Sequence, residues 1–416
     1  MHMPHKLIAQ NTLYQILARS ITSFVGFLIT LIIASKFGVL GYGDFIKITS
    51  YVALFYLVID FGLNAFFLQY ENAKFKNLFY LRLLMSLGIF LLLNLLAIFL
   101  PHNQALGTGF SEVERFGIFI FSFGIFAQSI ILSVSAIFQK KVNYYFYMVG
   151  TIIGSVVNLI VVLIFTFLNL SIIYILFGFV FSSFISSFVL LYFAKEKIFP
   201  LSLNKDFSVK IIKASWPIGL MLIFNLIYFR ADMFLLSILK NTHDVGIYGL
   251  SYKFFDFLIA LPLFLSNAIY PLLLKTKFNN QLFFNLIKKY FLVFLVGSFL
   301  VIIPFWFISP LFTLVKSDFA ASMLPFRILL LSLPFFFTTS FLQWVLITLG
   351  KQKYLMVVYL LSTVINIILN IIFIPQYSYL ACAVITLVSE AVVFVLLLSQ
   401  LVKARIILER KEQISV

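Results

Sequence analysis

The sequence predicts an all-α integral membrane protein, with twelve transmembrane helices in two parallel six-helix repeats around a central cavity. Three observations predict it: the composition, the length of the apolar runs, and the placement of the basic residues. Of 416 residues, 63% are hydrophobic and 11% charged, against about 45–50% and about 25% in soluble domains. The mean hydropathy is +1.11. Apolar runs of roughly 20 residues recur along the chain, the length that crosses about 30 Å of hydrocarbon as a helix. Barrel strands need only about 10 alternating residues, so helices are expected. The net charge of +16 is carried in short segments between the runs. That is the pattern of loops meeting anionic lipid, and it argues against nucleic acid as a partner.

The runs follow in order. The first, near 13–36, comes after a short polar start. It is too long for a signal-peptide core and lacks a small-residue cleavage site, so it is expected to be an uncleaved signal anchor. The second, near 45–69, leads into a basic segment with Lys74, Lys76 and Arg82, and the third lies near 79–100. The fourth, near 116–138, precedes Lys140 and Lys141, and the fifth and sixth lie near 146–168 and 172–194. The longest inside loop, about 195–214, carries five lysines. Within it "FSVKIIKASW" (207–216) sets Ile211, Ile212 and Trp216 among Lys210 and Lys213, as in an interfacial amphipathic helix leading into the next span. Runs near 215–239, 250–274, 290–313, 325–349, 354–375 and 379–402 complete the set. With the N-terminus inside, Lys and Arg favour the inner segments by roughly three to one, so both termini are expected to be cytoplasmic.

The inside loop near residue 200 divides the chain into an N-terminal six-helix bundle, 1–200, and a C-terminal one, 201–416. The latter has a leading amphipathic segment and a short cytoplasmic tail. A repeat supports the division. "SKFGVLGYG" (35–43) resembles "SILKNTHDVGIYG" (237–249), and "SVVNLIVVLIF" (155–165) resembles "TVINIILNIIF" (363–373). Both pairs agree on a period of six spans, and an even number makes the repeats parallel.

Charges inside a membrane are expensive and face a partner or a water-filled cavity. In "NLIYFRADMFLLSIL" (225–239), Arg230 and Asp232 point to different faces of a regular helix, so neither satisfies the other. Asp232 is expected in a structural interhelical pair. Arg230 belongs to a cationic set with Arg19, Lys36, Lys47, Lys240 and Lys253, which has few carboxylate partners. Arg19 and Arg230 either reach the headgroups or a neighbouring helix, or line a substrate path. Asp60 and Glu390 fall nearer the midplane, where a carboxyl group is either a protonated or paired structural acid or a proton carrier that couples transport to a gradient. Asn366 and Asn370 share a helix face, and Asn158 matches the first by repeat. Such amides either bond between helices or contact sugar hydroxyls.

Several chemistries are excluded. No G-x-x-x-x-G-K-[ST] loop is present for ATP. The single cysteine, Cys382, and four scattered histidines offer no disulfide and no metal site. The loop at 101–115 has only Glu112 and Glu114 where a glycosyltransferase needs its carboxylates, and no external loop is long enough for a polymerase. A carrier remains, and no bound cofactor is called for. A proton or sodium gradient is the expected drive.

Several stretches together resemble the Wzx-type polysaccharide (O-antigen) flippases of the multidrug/oligosaccharidyl-lipid/polysaccharide exporter superfamily. They are "SKFGVLGYGDF" (35–45), "IDFGLN" (59–64), "RADMFLLSIL" (230–239), "DVGIYGLSYKFFD" (244–256), "GKQKY" (350–354), "INIILNIIFIP" (365–375) and "AVITLVSE" (383–390). Two positions depart: "YSYLACA" lacks the usual glycines, and "KNTHDVGIYG" has Gly246 where Ser or Ala is common. The resemblance implies a non-enzymatic carrier moving an undecaprenyl-pyrophosphate-linked oligosaccharide to the outer leaflet through a cation-lined cavity. Its partners would be membrane lipid, the lipid-linked oligosaccharide, a glycan polymerase and a chain-length regulator. The alternative is a multidrug or cation antiporter of the same superfamily, which would want an anionic cavity. A membrane polysaccharide polymerase is a more distant alternative.

Overall fold

The computed structural model describes residues 5–69, 74–196, 198 and 205–415. In chain order, α1 (His5–Asp60), α2 (Leu63–Gln69) and α3 (Phe75–Ile98) precede a small antiparallel hairpin, β1 (His102–Asn103) with β2 (Thr108–Gly109). Then come α4 (Glu112–Ser122), α5 (Gly124–Lys140), α6 (Tyr144–Phe167), α7 (Ile172–Ala194) and α8 (Lys205–Leu239). α9 (Thr242–Thr276) and α10 (Asn280–Ile308) lead through a 3-10 turn, Ser309–Leu311, to α11 (Phe312–Val315). A second 3-10 segment, Ser317–Ser322, opens α12 (Met323–Thr348), and α13 (Gln352–Ser415) ends the chain.

The all-α membrane class agrees with the sequence, but the expected twelve spans in two six-helix repeats do not. Among the described residues, nine helical runs are long and apolar enough to cross a membrane. The difference arises where polar or glycine-containing stretches seemed to end a helix. Residues 36–45 stay within α1, with only Gly38 leaving helical geometry, at φ 66°. Residues 375–379 stay within α13, where only Ser378 departs. Two expected pairs of spans are therefore single continuous runs, Gln10–Leu68 and Gln352–Ile406. α8 falls outside the nine, a count made on the described residues. The repeat also fails locally: "SKFGVLGYG" lies inside α1, whereas its counterpart straddles the break between α8 and α9. Residues 207–216, expected as an interfacial helix, are the first turns of α8, with Ile211 buried and Ile212 and Trp216 exposed.

Two compact units form. One comprises Met1–Arg230 with Asn241–Gly246, the other Ala231–Lys240 with Ile247–Val416. The division expected between residues 200 and 201 lies outside the described residues.

In the first unit, α6 meets α7 through Gly150 and Gly154, a G-x-x-x-G spacing. A Cβ at Gly154 would lie 2.4 Å from that of Ser186, and the Ser186 hydroxyl donates to the Gly150 carbonyl at 3.2 Å. Lipid tails give little hydrophobic drive between helices, so close backbone approach and such hydrogen bonds hold them together. Leu63, Phe67, Leu78, Val134 and Leu190 form one buried cluster, which Ile211 joins.

α12 is the core helix of the second unit. Leu329, Leu333, Phe341, Leu342 and Val345 are wholly buried along it, and Phe341 stacks on Phe294 of α10 at 5.2 Å. Pro334 removes one backbone donor inside α12, and the Thr338 hydroxyl occupies the Pro334 carbonyl at 2.7 Å. Ser251 of α9 donates to the Ser322 carbonyl at 2.8 Å, and Ser322 donates to the Ile247 carbonyl at 2.9 Å. α10 turns Leu300, Ile303 and Phe307 outward, an apolar surface suited to lipid.

Candidate functional site

The densest polar cluster of the first unit is built on Lys47. The positive φ of Gly107 and Gly109, 62° and 77°, turns the short hairpin, where a side chain would be strained. At Gly109 a Cβ would also fall 1.9 Å from the Pro101 carbonyl oxygen. The Gly109 carbonyl then accepts from Lys47 Nζ at 2.6 Å. Next along the chain, Ser111 and Glu114 form a capping box that starts α4. It satisfies two otherwise orphan backbone donors and fixes the glutamate. Glu114 Oε1 lies 3.0 Å from Lys47 Nζ, and both side chains are almost wholly buried. The Thr242 hydroxyl completes the set at 2.8 Å from Nζ. All three ammonium donors are thus occupied, with Asp44 interacting with Glu114, Lys47 and Thr242. Lys47, expected to bind substrate, is a buried joint in this conformation.

Two glycines make the joint possible. A Cβ at Gly43 would lie 2.1 Å from the Thr242 carbonyl oxygen, and one at Gly246 would lie 2.2 Å from that of Val39. Backbone meets backbone at both points. This explains Gly246 where a small side chain is usual: no side chain fits.

The other candidates are more scattered. Asp60 lies 3.4 Å from Arg82, a residue expected in an inside loop but fully buried on α3. Arg19 is exposed on α1, and Arg230 is half-buried on α8. Asn158 is half-buried on α6, its Oδ1 buried without a hydrogen-bond partner among the described residues. In the second unit, the Asp232 carboxylate accepts from the Tyr248 hydroxyl at 2.5 Å. The Cys382 thiol approaches the Asp232 carbonyl at 3.8 Å.

The second unit gathers three candidates on α13. Asn366 donates to the Ser389 hydroxyl at 3.2 Å, and Asn370 donates to both the carbonyl and the side-chain oxygen of Asn366 at 2.9 Å. Beside Ser389, the buried Glu390 accepts from the Thr339 hydroxyl at 2.5 Å. Two hydrogen-bonded polar sets, Asn370–Asn366–Ser389 and Thr339–Glu390, thus lie side by side along α13. Sequence reasoning missed Glu114, Thr242, Arg82, Tyr248, Thr339 and Ser389. Only Glu114 carried a local signal, the S-x-x-E capping spacing ahead of an apolar run. Among the described residues, no group of three or more His, Cys, Asp and Glu is placed to hold a metal ion.

Residues 8–277 match the family described as polysaccharide biosynthesis protein. The chain belongs to that family. Residues 217–372 also match the MatE family. No curated protein matches by sequence. Among solved structures, lipid II flippase MurJ in an inward closed conformation shares the fold at a TM-score of 0.75 and 17% identity, over 95% of this chain and 89% of that one. An inward-facing multidrug resistance MATE transporter gives 0.70 and 14%, over 96% and 99%. A transporter of the same superfamily from Pyrococcus furiosus gives 0.59 and 13%, over 96% of each chain. The likeness at these identities is one of fold. The chain is a multi-pass membrane protein of the polysaccharide biosynthesis protein family, and it shares its fold with MurJ and with MATE transporters.

Proposed function

We propose that this chain is a Wzx-type flippase. It carries an undecaprenyl-pyrophosphate-linked oligosaccharide from the cytoplasmic to the outer leaflet of a bacterial inner membrane, for surface polysaccharide synthesis. The observation that carries this reading is the family match over residues 8–277. The fold shared with a lipid II flippase supports it.

The physical chemistry of the cargo fits. A diphosphate bearing sugars cannot cross hydrocarbon unaided, because each desolvated polar group costs several kcal/mol. Guanidinium groups offer forked donors that match phosphate oxygens. In this proposal Arg19 guides the anionic head group in the inner half of a cation-lined path and Arg230 in the outer half, while the polyprenyl tail stays in lipid. Asn158, Asn366 and Asn370 are proposed contacts for sugar hydroxyls. Asp60 and Glu390 are proposed to couple movement to a proton or sodium gradient. A glycan polymerase and chain-length regulator would act on the delivered units.

The test is the leaflet in which lipid-linked oligosaccharide accumulates in a deletion strain of the native host, read with an impermeant sugar-labelling probe on spheroplasts. Complete, probe-protected units are expected, relieved by the wild-type gene and not by Arg230→Ala at equal protein level. Complete but unpolymerised units exposed outside would refute the flippase reading. The MatE match over 217–372 favours one second reading, a multidrug or cation antiporter. Normal glycan in the deletion strain, with altered drug or cation tolerance, would select it.

A further inference from the structure

The joint at Lys47 holds one more acid than its cation can pair. Lys47 supplies the positive charge, and the carboxyl groups of Asp44 and Glu114 both meet it. Asp44 and Lys47 lie three residues apart on α1 and so share a helix face. Glu114 comes from the first turn of α4, and the Thr242 hydroxyl from the first residue of α9. Lys47 and Glu114 are almost wholly buried and Asp44 is half-buried, so little of the cluster faces water.

One contact in this cluster lacks a hydrogen. The three ammonium hydrogens of Lys47 go to the Gly109 carbonyl, the Thr242 hydroxyl and Glu114 Oε1. Glu114 Oε2 accepts from the Ser111 backbone N–H. Thr242 has one hydroxyl hydrogen, and two carboxyl groups stand within its reach: Asp44, and Glu114 Oε1 at 3.4 Å. The remaining contact, side chain to side chain between Asp44 and Glu114, has no donor while both are ionised. Carboxylates only accept, and two of them in contact repel. A single proton on either carboxyl supplies the donor and leaves the three ionisable side chains neutral together.

Among the described residues, the charged groups that act on Asp44 are Glu114 and Lys47. Their neighbours in sequence are turned elsewhere. Arg115 donates to the Leu100 carbonyl at 2.7 Å, Lys36 donates to Asn169, and His243 lies 3.7 Å from Asp244. Glu112 and His102 are exposed. Of the other helices packed on α1, α6 and α7 carry no Asp, Glu, Lys, Arg or His. α5 has only Lys140, its last residue, and α3 only Lys76 and Arg82, in its first third.

We propose that this joint is a pH-sensitive lock, closed with one proton held between Asp44 and Glu114 and loosened when that proton leaves. The closed form seats Gly43 and Gly246 backbone to backbone and bridges Thr108 of the hairpin to Asn241. Once both carboxyls are ionised they repel across their contact, and Lys47 offsets only one of them. The folded chain thus keeps a proton that the unfolded chain releases, because a free carboxyl group titrates near pH 4. Stability therefore falls as pH rises, by up to about tenfold in the unfolding equilibrium per pH unit for one proton. The lock does not rest on the transport reading, since it belongs to the resting protein whatever that protein carries.

The test follows thermal unfolding of the full chain in neutral detergent from about pH 5 to about pH 9, with infrared spectra of the carboxylic-acid C=O stretch at both ends. Wild type is expected to melt lower as pH rises, by about 1–2 °C per pH unit while the proton is leaving. Asp44→Asn replaces the protonated acid with an amide that still donates to Glu114. It is expected to keep the low-pH melting temperature, to flatten the profile, and to lack one carboxylic-acid band that wild type shows at low pH. Glu114→Gln is expected to flatten the profile too, from a lower start, because its amide forgoes either Lys47 or Ser111. Asp318→Asn removes an exposed acid of the second unit and is expected to keep the wild-type slope. A flat wild-type profile, a wild-type slope in Asp44→Asn or Glu114→Gln, or an unchanged carboxylic-acid band in both would overturn the lock. The leaflet assay is separate: this pH profile in a chain that does not flip lipid would remove the transport reading and leave the lock standing.

Discussion

Replacing Lys47 with methionine removes an ammonium group and keeps an unbranched side chain to fill its channel. Three acceptors lose their donor at once: the Gly109 carbonyl, the Thr242 hydroxyl and Glu114. Glu114 keeps the Ser111 backbone N–H at 2.5 Å and a long contact to Thr242 at 3.4 Å, but no cation. Leaving one member of a buried ion pair uncompensated costs about 3–5 kcal/mol. The converse change, Glu114→Gln, is expected to cost less, because Asp44 remains beside Lys47 as a second carboxylate. Making both changes leaves Asp44 as the one carboxylate of the cluster without Lys47, and is expected to recover part of the stability lost by Lys47→Met alone. The assay is thermal unfolding of the purified full chain in detergent for wild type, both single variants and the double variant. Co-melting of Lys47→Met with wild type, or a double variant less stable than Lys47→Met, would refute the reasoning.

Gly43→Ala adds a methyl group 2.1 Å from a backbone oxygen and is expected to abolish most folded protein, measured as monodisperse yield. Gly26→Ala in the same helix meets nothing within 4 Å and is expected to gain about 0.5–1 kcal/mol from reduced backbone freedom; equal yields from the two would contradict the close approach. Glu390→Gln preserves shape and the bond from Thr339. It is expected to eliminate the response of transport to an imposed ion gradient in vesicles at normal protein level, and a wild-type response would remove Glu390 from coupling.

Apolarity and charge bias made the helical membrane class legible, because run length and composition act over tens of residues. Helix continuity was not legible. Gly38 and Ser378 each interrupt helical geometry for one residue, yet in sequence their surroundings look like connecting loops. Long-range partners were equally hidden. Nothing near Lys47 announces Thr242, and nothing near Asp60 announces that Arg82 lies about two turns into α3, buried, rather than in a loop. Pairing of this kind is decided by tertiary approach. The asparagines of α13 were found from their four-residue spacing, but their partner Ser389 lies on a later stretch of the same helix beyond the Ser378 kink.

The joint at Lys47 also dictates the order in which the molecule can be completed. Thr242 and Gly246 belong with residues 39–47, yet about two hundred residues of chain must be synthesised and inserted between them. While the ribosome is still making α5 to α8, Lys47 lacks one of its three acceptors and the backbone at Gly43 lies open. The first unit therefore closes only after the chain has passed residue 246. A fragment ending near residue 200 would emerge with that seam unsealed, a natural point for a chaperone or membrane insertase to hold the chain during biogenesis.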